Sequence, residues 1–194
     1  MLPAAAFVLF AYLLGGVSPG YWLVRWRTGG DVRDLGSGGT GATNAGRVLG
    51  RAGFAVVLVF DAMKGALVVA MARSFGIATP WFELAAFAVV AGHVWPLQLR
   101  FRGGKGVAPL LGAWLVLAPL ALGPCLLVAA TALALLRRFT LAGLCGLAVL
   151  PAGAWWAGHG DRGLFALAVS MLFVILHTHR GHLRRGLPPE PGVP

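Results

Sequence analysis

The sequence predicts an all-α integral membrane protein, a bundle of seven transmembrane helices with its N-terminus outside and its C-terminus in the cytoplasm. Three observations predict it. Of the 194 residues, 58% are hydrophobic and 11% charged, which is too apolar for a soluble domain of this length. The apolar residues fall into seven runs, each near or somewhat short of the roughly 20 residues that cross a bilayer. The basic residues lie almost entirely in the short gaps between those runs, and they favour alternate gaps.

The first run, 3–24, is apolar from the start and has no basic segment before it, so it reads as a retained span rather than a cleaved signal peptide. The second, 53–72, carries Asp61 and Lys64. The third, 82–99, has Trp81 beside its start and Trp95 near its end. The fourth and fifth, 107–120 and 122–136, are one long stretch interrupted by Pro119 and Pro124, and each half is short for a span. The sixth, 140–158, ends near Trp155 and Trp156, and the seventh covers 163–178. Tryptophan at span ends suits the membrane–water interface. Residues 1–180 thus form one expected domain without internal repeats, and 181–194 an expected disordered, proline-rich cytoplasmic tail.

The charge pattern sets the orientation. Arg25, Arg27, Arg33, Arg47 and Arg51 occupy the first gap; Arg100, Arg102 and Lys105 the third; Arg137 and Arg138 the fifth; Arg180, Arg184 and Arg185 follow the last span. Only Arg73 and Arg162 fall in the other gaps, a bias of thirteen against two toward one face. The excess of 16 Lys+Arg over 6 Asp+Glu would suggest nucleic acid in a soluble chain, but here no basic stripe lies on a soluble module. The partner implied is the lipid bilayer, and nothing calls for nucleic acid or an obligate protein partner. Cys125 and Cys145 sit inside apolar runs as small hydrophobes, with no disulfide or metal spacing.

The gaps also carry chemistry. Gly36-Ser-Gly-Gly-Thr-Gly-Ala-Thr-Asn44 lets backbone approach an anion, with short donors on Ser37, Thr40, Thr43 and Asn44 and a forked cation at Arg47. Gly36, Gly38 and Gly41 match a dinucleotide fingerprint, and Asp61 follows at a fitting offset, but membrane spans flank the motif where a βαβ unit is required. Arg102-Gly-Gly-Lys-Gly106 is not a Walker A loop, because Gly106 follows Lys105 where Ser or Thr is needed. Its glycines again suggest close approach to an anion, and His93 lies just upstream. Asp61 and Lys64 are costly within a bilayer and are expected to pair at i,i+3 as structural support for the site. His177, His179 and His182 invite a zinc reading, but they lack the carboxylate or cysteine partners of a metal site, so no metal or other cofactor is expected. No His-Glu-x-x-His or His-x-x-x-x-Asp motif occurs, and no covalent nucleophile with an oriented base is visible.

Four stretches together resemble the acyl-phosphate-dependent glycerol-3-phosphate acyltransferases of bacteria, the PlsY family. They are Gly36 through Gly50, Asp61-Ala-Met-Lys-Gly65, Gly92-His through Val-Ala108, and His179-Arg180, in order along nearly the whole chain. The resemblance implies a multi-pass protein of the bacterial plasma (inner) membrane, with seven spans and its active site at the cytoplasmic face. It implies acyl phosphate and glycerol 3-phosphate as substrates, and lysophosphatidic acid and phosphate as products. Carried over residue by residue, Ser37, Gly38, Gly41, Thr43, Asn44 and Arg47 form a first phosphate-binding loop and Gly103, Gly104 and Lys105 a second. Thr140, His179 and His182 complete the site, and Lys105, His179, Ser37 and Arg47 are the expected catalytic set. Asp61, Lys64 and His93 are expected to support it. The chain departs from the family pattern at Gly39 (usually Asn), Pro109 (usually Thr), Thr140 (usually Ser) and His182 (usually Asn), and its tail lacks the usual Gly-x-Glu.

Two other functions fit less of the pattern. A non-catalytic relative would bind phosphorylated lipid precursors with the same loops. A small anion transporter would show repeat symmetry and polar residues near mid-membrane, whereas the polar groups here gather at one face apart from Asp61 and Lys64.

Overall fold

The computed structural model describes residues 2–184; the side chain of His182 and the tail from 185 lie outside the described residues. All regular structure among the described residues is helical: α1 (Leu2–Gly16), α2 (Pro19–Thr28), α3 (Ala42–Ser74), α4 (Trp81–Val94), α5 (Val107–Leu117), α6 (Pro119–Leu136), α7 (Phe139–Ala148), α8 (Leu150–Ala157) and α9 (Arg162–Arg184), with short 3-10 turns at Val32–Asp34 and Leu97–Leu99. Among the described residues, six helical stretches are long and apolar enough to cross a membrane: Pro3–Thr28, Ala42–Ser74, Trp81–Leu99, Pro119–Leu136, Phe139–Ala157 and Arg162–Gly181. The remaining expected span, 107–120, is the eleven-residue α5. At 1.5 Å per residue it is about 16 Å long, against roughly 30 Å of hydrocarbon.

Proline and glycine set the breaks. The first span divides because Pro19 forces Ser18 out of the helical region, to φ −114° and ψ 96°. The chain then restarts as α2, which ends at the left-handed Gly29 with its N–H on the Arg25 carbonyl. Pro119 opens α6, whereas Pro124 lies inside it and does not break it, contrary to the sequence expectation. Pro151 likewise restarts the sixth span as α8. The last helix continues past the expected end at 178 to Arg184. Asp161 caps its start, accepting from the N–H groups of Gly163 at 2.7 Å and Leu164 at 3.0 Å.

The helices group into two compact units, residues 1–113 and 114–193. In the first, α1 lies on α4 with backbones in close approach: a methyl group on Gly15 would collide with the Val89 carbonyl, and one on Gly92 with the Tyr12 carbonyl. Helix α3 approaches the start of α5 through Gly65 against Pro109 and Gly112 against Ala62. Pro109 falls in the first turn of α5, where its missing N–H removes no intrahelical bond. In the second unit, Gly146 and Gly153 bring α7 and α8 onto the Cys125 and Ala121 carbonyls of α6. Trp114 Nε1–H meets Met171 Sδ at 3.3 Å across its core.

Helix α3 has the polarity of a membrane helix turned to lipid. Val56, Val59, Phe60, Met63 and Leu67 face outward, while Asp61 and Lys64 are 1% and 6% exposed. A soluble helix would reverse that arrangement.

Candidate functional site

The second glycine-rich loop is built onto the end of α4. That helix stops at Val94, and its last carbonyls need donors. The chain turns through Leu97–Leu99 and places Arg100 and Phe101 in the left-handed region at φ 55° and 60°, a conformation side chains resist. This folds the loop back, so that Gly103 N–H donates to Val94 O at 3.1 Å and Gly104 N–H to His93 O at 3.0 Å. Neither glycine tolerates a side chain, since a methyl group on Gly103 would meet His93 O and one on Gly104 the His93 ring. Both N–H groups are thereby engaged by the end of α4. Those donors cap α4, and the glycines permit the close approach that presents Lys105. Lys105 is half-buried at the loop's end.

The first loop is stapled by Asn44. Its Oδ1 accepts from Ser37 N–H at 2.9 Å, and its Nδ2 lies 2.8, 2.9 and 2.8 Å from the carbonyls of Val32, Leu35 and Gly39. The buried side chain is thus engaged by four backbone groups and organises the loop. Gly38 supplies a left-handed turn at φ 71°, with its N–H on Leu35 O. Gly41 precedes the first turn of α3 and caps it without a side-chain hydrogen bond. The helix thus begins at Ala42, not near 53, and Thr43 and Arg47 sit on its first two turns, exposed, as is Ser37 of the loop. The first N–H groups of such a helix have no internal acceptor and favour an anion. A left-handed Gly50, at φ 70° and ψ −167°, kinks the helix before it enters the apolar span. Arg47 reaches back over Gly36, where a methyl group would meet Asn44 Oδ1 and Arg47 Nη1.

The two loops are tied together within the first unit. Thr40 N–H donates to Gly103 O at 3.3 Å. Arg33 donates to Leu99 O at 2.8 Å, is gripped by both carboxylate oxygens of Asp31, and stacks 5.2 Å from the Tyr21 ring centre. The Arg33 hydrogen bond holds the Asp31 carboxyl below its ordinary range, and Asp31 in turn raises the Arg33 guanidinium. Gly20 of α2 lets the Thr40 carbonyl sit directly against that helix. The sequence reading passed over Gly20, took Thr40 only as a short side-chain donor and counted Arg33 only as a topological charge. The one available signal was the Asp31-x-Arg33 pair inside a glycine-rich gap.

Below both loops lie the three expected supporting residues. Lys64 Nζ is 2.8 Å from Gly15 O, 3.0 Å from Val17 O, 2.8 Å from His93 Nδ1 and 2.8 Å from Asp61 Oδ1. An ammonium has three hydrogens, and they go to the two carbonyls and His93. Asp61 Oδ1 is left in ion contact without a hydrogen bond of its own. Because Lys64 can only donate, His93 Nδ1 accepts and the ring proton is assigned to Nε2, on the edge that faces Gly104.

The remaining expected residues belong to the second unit. Thr140 is half-buried at the start of α7. His179 is buried on α9, with Nδ1 2.8 Å from Ile175 O. A carbonyl only accepts, so Nδ1 carries a proton. His177 is exposed on the same helix, and among the described residues no group of three His, Cys, Asp or Glu could hold a metal ion.

Comparison with known proteins agrees with this architecture. The family model for glycerol-3-phosphate acyltransferase matches residues 5–188. The glycerol-3-phosphate acyltransferase 1 of Desulfitobacterium hafniense (strain Y51) is 48% identical over 181 residues, 93% of this chain and 89% of its own. That of Myxococcus xanthus (strain DK1622) is 42% identical over 189 residues, covering 93% and 94%. Two crystal structures of PlsY (YgiH), an integral membrane glycerol 3-phosphate acyltransferase, superpose over 94% of this chain and 91% of theirs. The glycerol 3-phosphate form has a TM-score of 0.86 at 30% identity. The lysophosphatidic acid form has 0.84 at 29%. The chain belongs to the glycerol-3-phosphate acyltransferase family.

Proposed function

We propose that this protein transfers a fatty acyl group from acyl phosphate to the sn-1 hydroxyl of glycerol 3-phosphate, releasing lysophosphatidic acid and phosphate, in bacterial phospholipid synthesis. The observation that carries the reading is the joining of two basic, glycine-rich loops at the start of α3 by the Thr40–Gly103 hydrogen bond. The hydroxyl oxygen attacks the acyl carbon, the bond from that carbon to the phosphate oxygen breaks, and phosphate departs. Acyl phosphate is already activated, so catalysis needs positioning and fixed positive charge rather than a covalent intermediate. Arg47 and Lys105 supply the charge, and Ser37 and Thr43 supply hydroxyl donors. Thr140 and His179 take their roles from the family resemblance. The base that takes the hydroxyl proton is His179, again by the family resemblance, or a substrate phosphate oxygen.

The same proposal includes seven crossings of the plasma membrane, with the N-terminus outside and the loops at the cytoplasmic face. The charge distribution supports it. Were α5 not to complete a crossing, Arg137, Arg138, Arg180, Arg184 and Arg185 would move to the face opposite the first and third gaps.

The test is direct. Purified protein is given acyl phosphate, or acyl-CoA in a parallel reaction, with labelled glycerol 3-phosphate. Lysophosphatidic acid formed from acyl phosphate is the expected result. Binding of glycerol 3-phosphate without product from either donor would support a non-catalytic relative instead.

A further inference from the structure

We propose that His93 is a positioning residue that fixes the backbone of the Gly103–Gly104–Lys105 loop, with Asp61 and Lys64 holding its ring in place from the opposite edge. Three observations converge. The ring is wedged between two contacts, Lys64 Nζ at 2.8 Å on Nδ1 and Gly104 against the Nε2 edge, where no Cβ fits. The backbone of the same residue accepts the Gly104 N–H at 3.0 Å, so main chain and side chain of His93 grip one glycine from two directions. Lys64, which orients the ring, also binds Gly15 O and Val17 O, at the break that starts α2. Helix α2 in turn sets the Thr40 carbonyl through Gly20, and Thr40 N–H reaches Gly103 O.

One buried ammonium therefore stands under both loops. Through His93 it sets the second, and through the α1–α2 break and Gly20 it sets the first. A buried Lys–Asp pair is a weak source of stability but a good source of register, because its geometry has few alternatives. Removing the Nε2 half of the ring would leave Gly104 unsupported and let the Lys105 backbone wander by fractions of an ångström. Anion binding would suffer from that before folding did.

The test is a double-mutant cycle with glycerol 3-phosphate as probe. His93→Asn keeps an acceptor near the Nδ1 position for Lys64 and removes the ring edge facing Gly104. Gly104→Ala drives a methyl group into that edge. We expect His93→Asn to raise KM for glycerol 3-phosphate about tenfold, with kcat changed less and the thermal midpoint nearly unaltered. Gly104→Ala alone should cost about thirtyfold in kcat/KM, and less than about threefold when added to His93→Asn, because the methyl group then has space. Equal cost of Gly104→Ala in both backgrounds would overturn the proposal. So would a lowered midpoint with unchanged KM in His93→Asn, the mark of a purely structural pillar. Gly104→Ala leaves Asp61, Lys64 and His93 unsubstituted, so near-wild-type KM in that single variant overturns the proposal even if His93→Asn does not fold. The inference rests on the acyltransferase reading only for the identity of its ligand. Calorimetric binding of glycerol 3-phosphate to the same four proteins reads the cycle even if the wild-type chain forms no lysophosphatidic acid.

Discussion

Thr40 donates its backbone N–H to the carbonyl of Gly103 at 3.3 Å, and that bond ties together two loops distant in sequence. The Thr40 carbonyl, on the other side of the same residue, rests on Gly20, where a methyl group would collide with it. Gly20→Ala must push Thr40 away from α2 or α2 away from the loop. We expect a KM for glycerol 3-phosphate raised about tenfold or more, with folded protein still recovered, since the displaced contact is one carbonyl rather than the core. Steady-state kinetics with a melting curve on the same preparation checks both halves.

Asn44 offers a sharper separation of roles. Its side chain bonds four backbone groups of the first loop, which gives it a structural role apart from any ligand. Asn44→Ala leaves those buried groups unpaired, at roughly 1–3 kcal/mol for the most deeply buried. Asn44→Asp is expected to be no better, because it replaces the donor facing three carbonyls with an acceptor. Both variants should show increased backbone exchange or proteolysis at 32–41 as well as lost turnover. A loss of turnover with unchanged protection of that segment would return Asn44 to the substrate.

The ion pair beneath the loops predicts a non-additive pattern of stability. Lys64→Met strands a buried carboxylate and two carbonyls, and a loss of about 3–5 kcal/mol is expected. Asp61→Asn removes the charge that Lys64 neutralises and should also destabilise. The double variant is expected to be less destabilised than the two single losses combined, because neither charge is then left alone. Thermal midpoints of the three variants, measured in one detergent, decide it.

Much of this was legible in the sequence, and what was not has a physical reason. Alternating apolar runs and basic gaps report burial in lipid, so the helical membrane class and the Asp61–Lys64 pairing could be read from spacing alone. The start of α3 at Ala42 could not, because Gly41-Ala-Thr-Asn44 has turn composition and its helix is held by Asn44 reaching back across the loop. Glycine also carries two meanings that composition does not separate. At Gly103 and Gly104 it makes room for the end of α4, whose carbonyls their N–H groups satisfy. The short α5 kept the apolarity of a span without its length, since Pro119 ends its register.

The Asp31–Arg33 clamp gives a pH dependence with a definite sign. Arg33 lowers the Asp31 carboxyl below its ordinary value of 3.8 in the folded state. The pair's contribution is therefore fully present above that value and is lost as pH falls through the lower folded value. No change in the clamp is expected between pH 5 and 8. The pair is only partly buried, so its share of stability is about 1 kcal/mol or less. The difference in melting temperature between wild type and Asp31→Asn should be constant above about pH 5 and shrink only below the ordinary carboxylate value. A difference that instead vanished near pH 7 would assign the dependence to another group.

The most direct measurement concerns Arg47 and Lys105, the cations that the two joined loops present. Each is expected to make charge-assisted hydrogen bonds to substrate phosphate, worth about 1.5–3 kcal/mol apiece. Arg47→Ala and Lys105→Ala, purified as folded protein, should each lose about 10–100-fold in kcat/KM for glycerol 3-phosphate in the acyl phosphate assay. Values within about threefold of wild type for both variants would contradict the assignment of these loops as the site of acyl transfer.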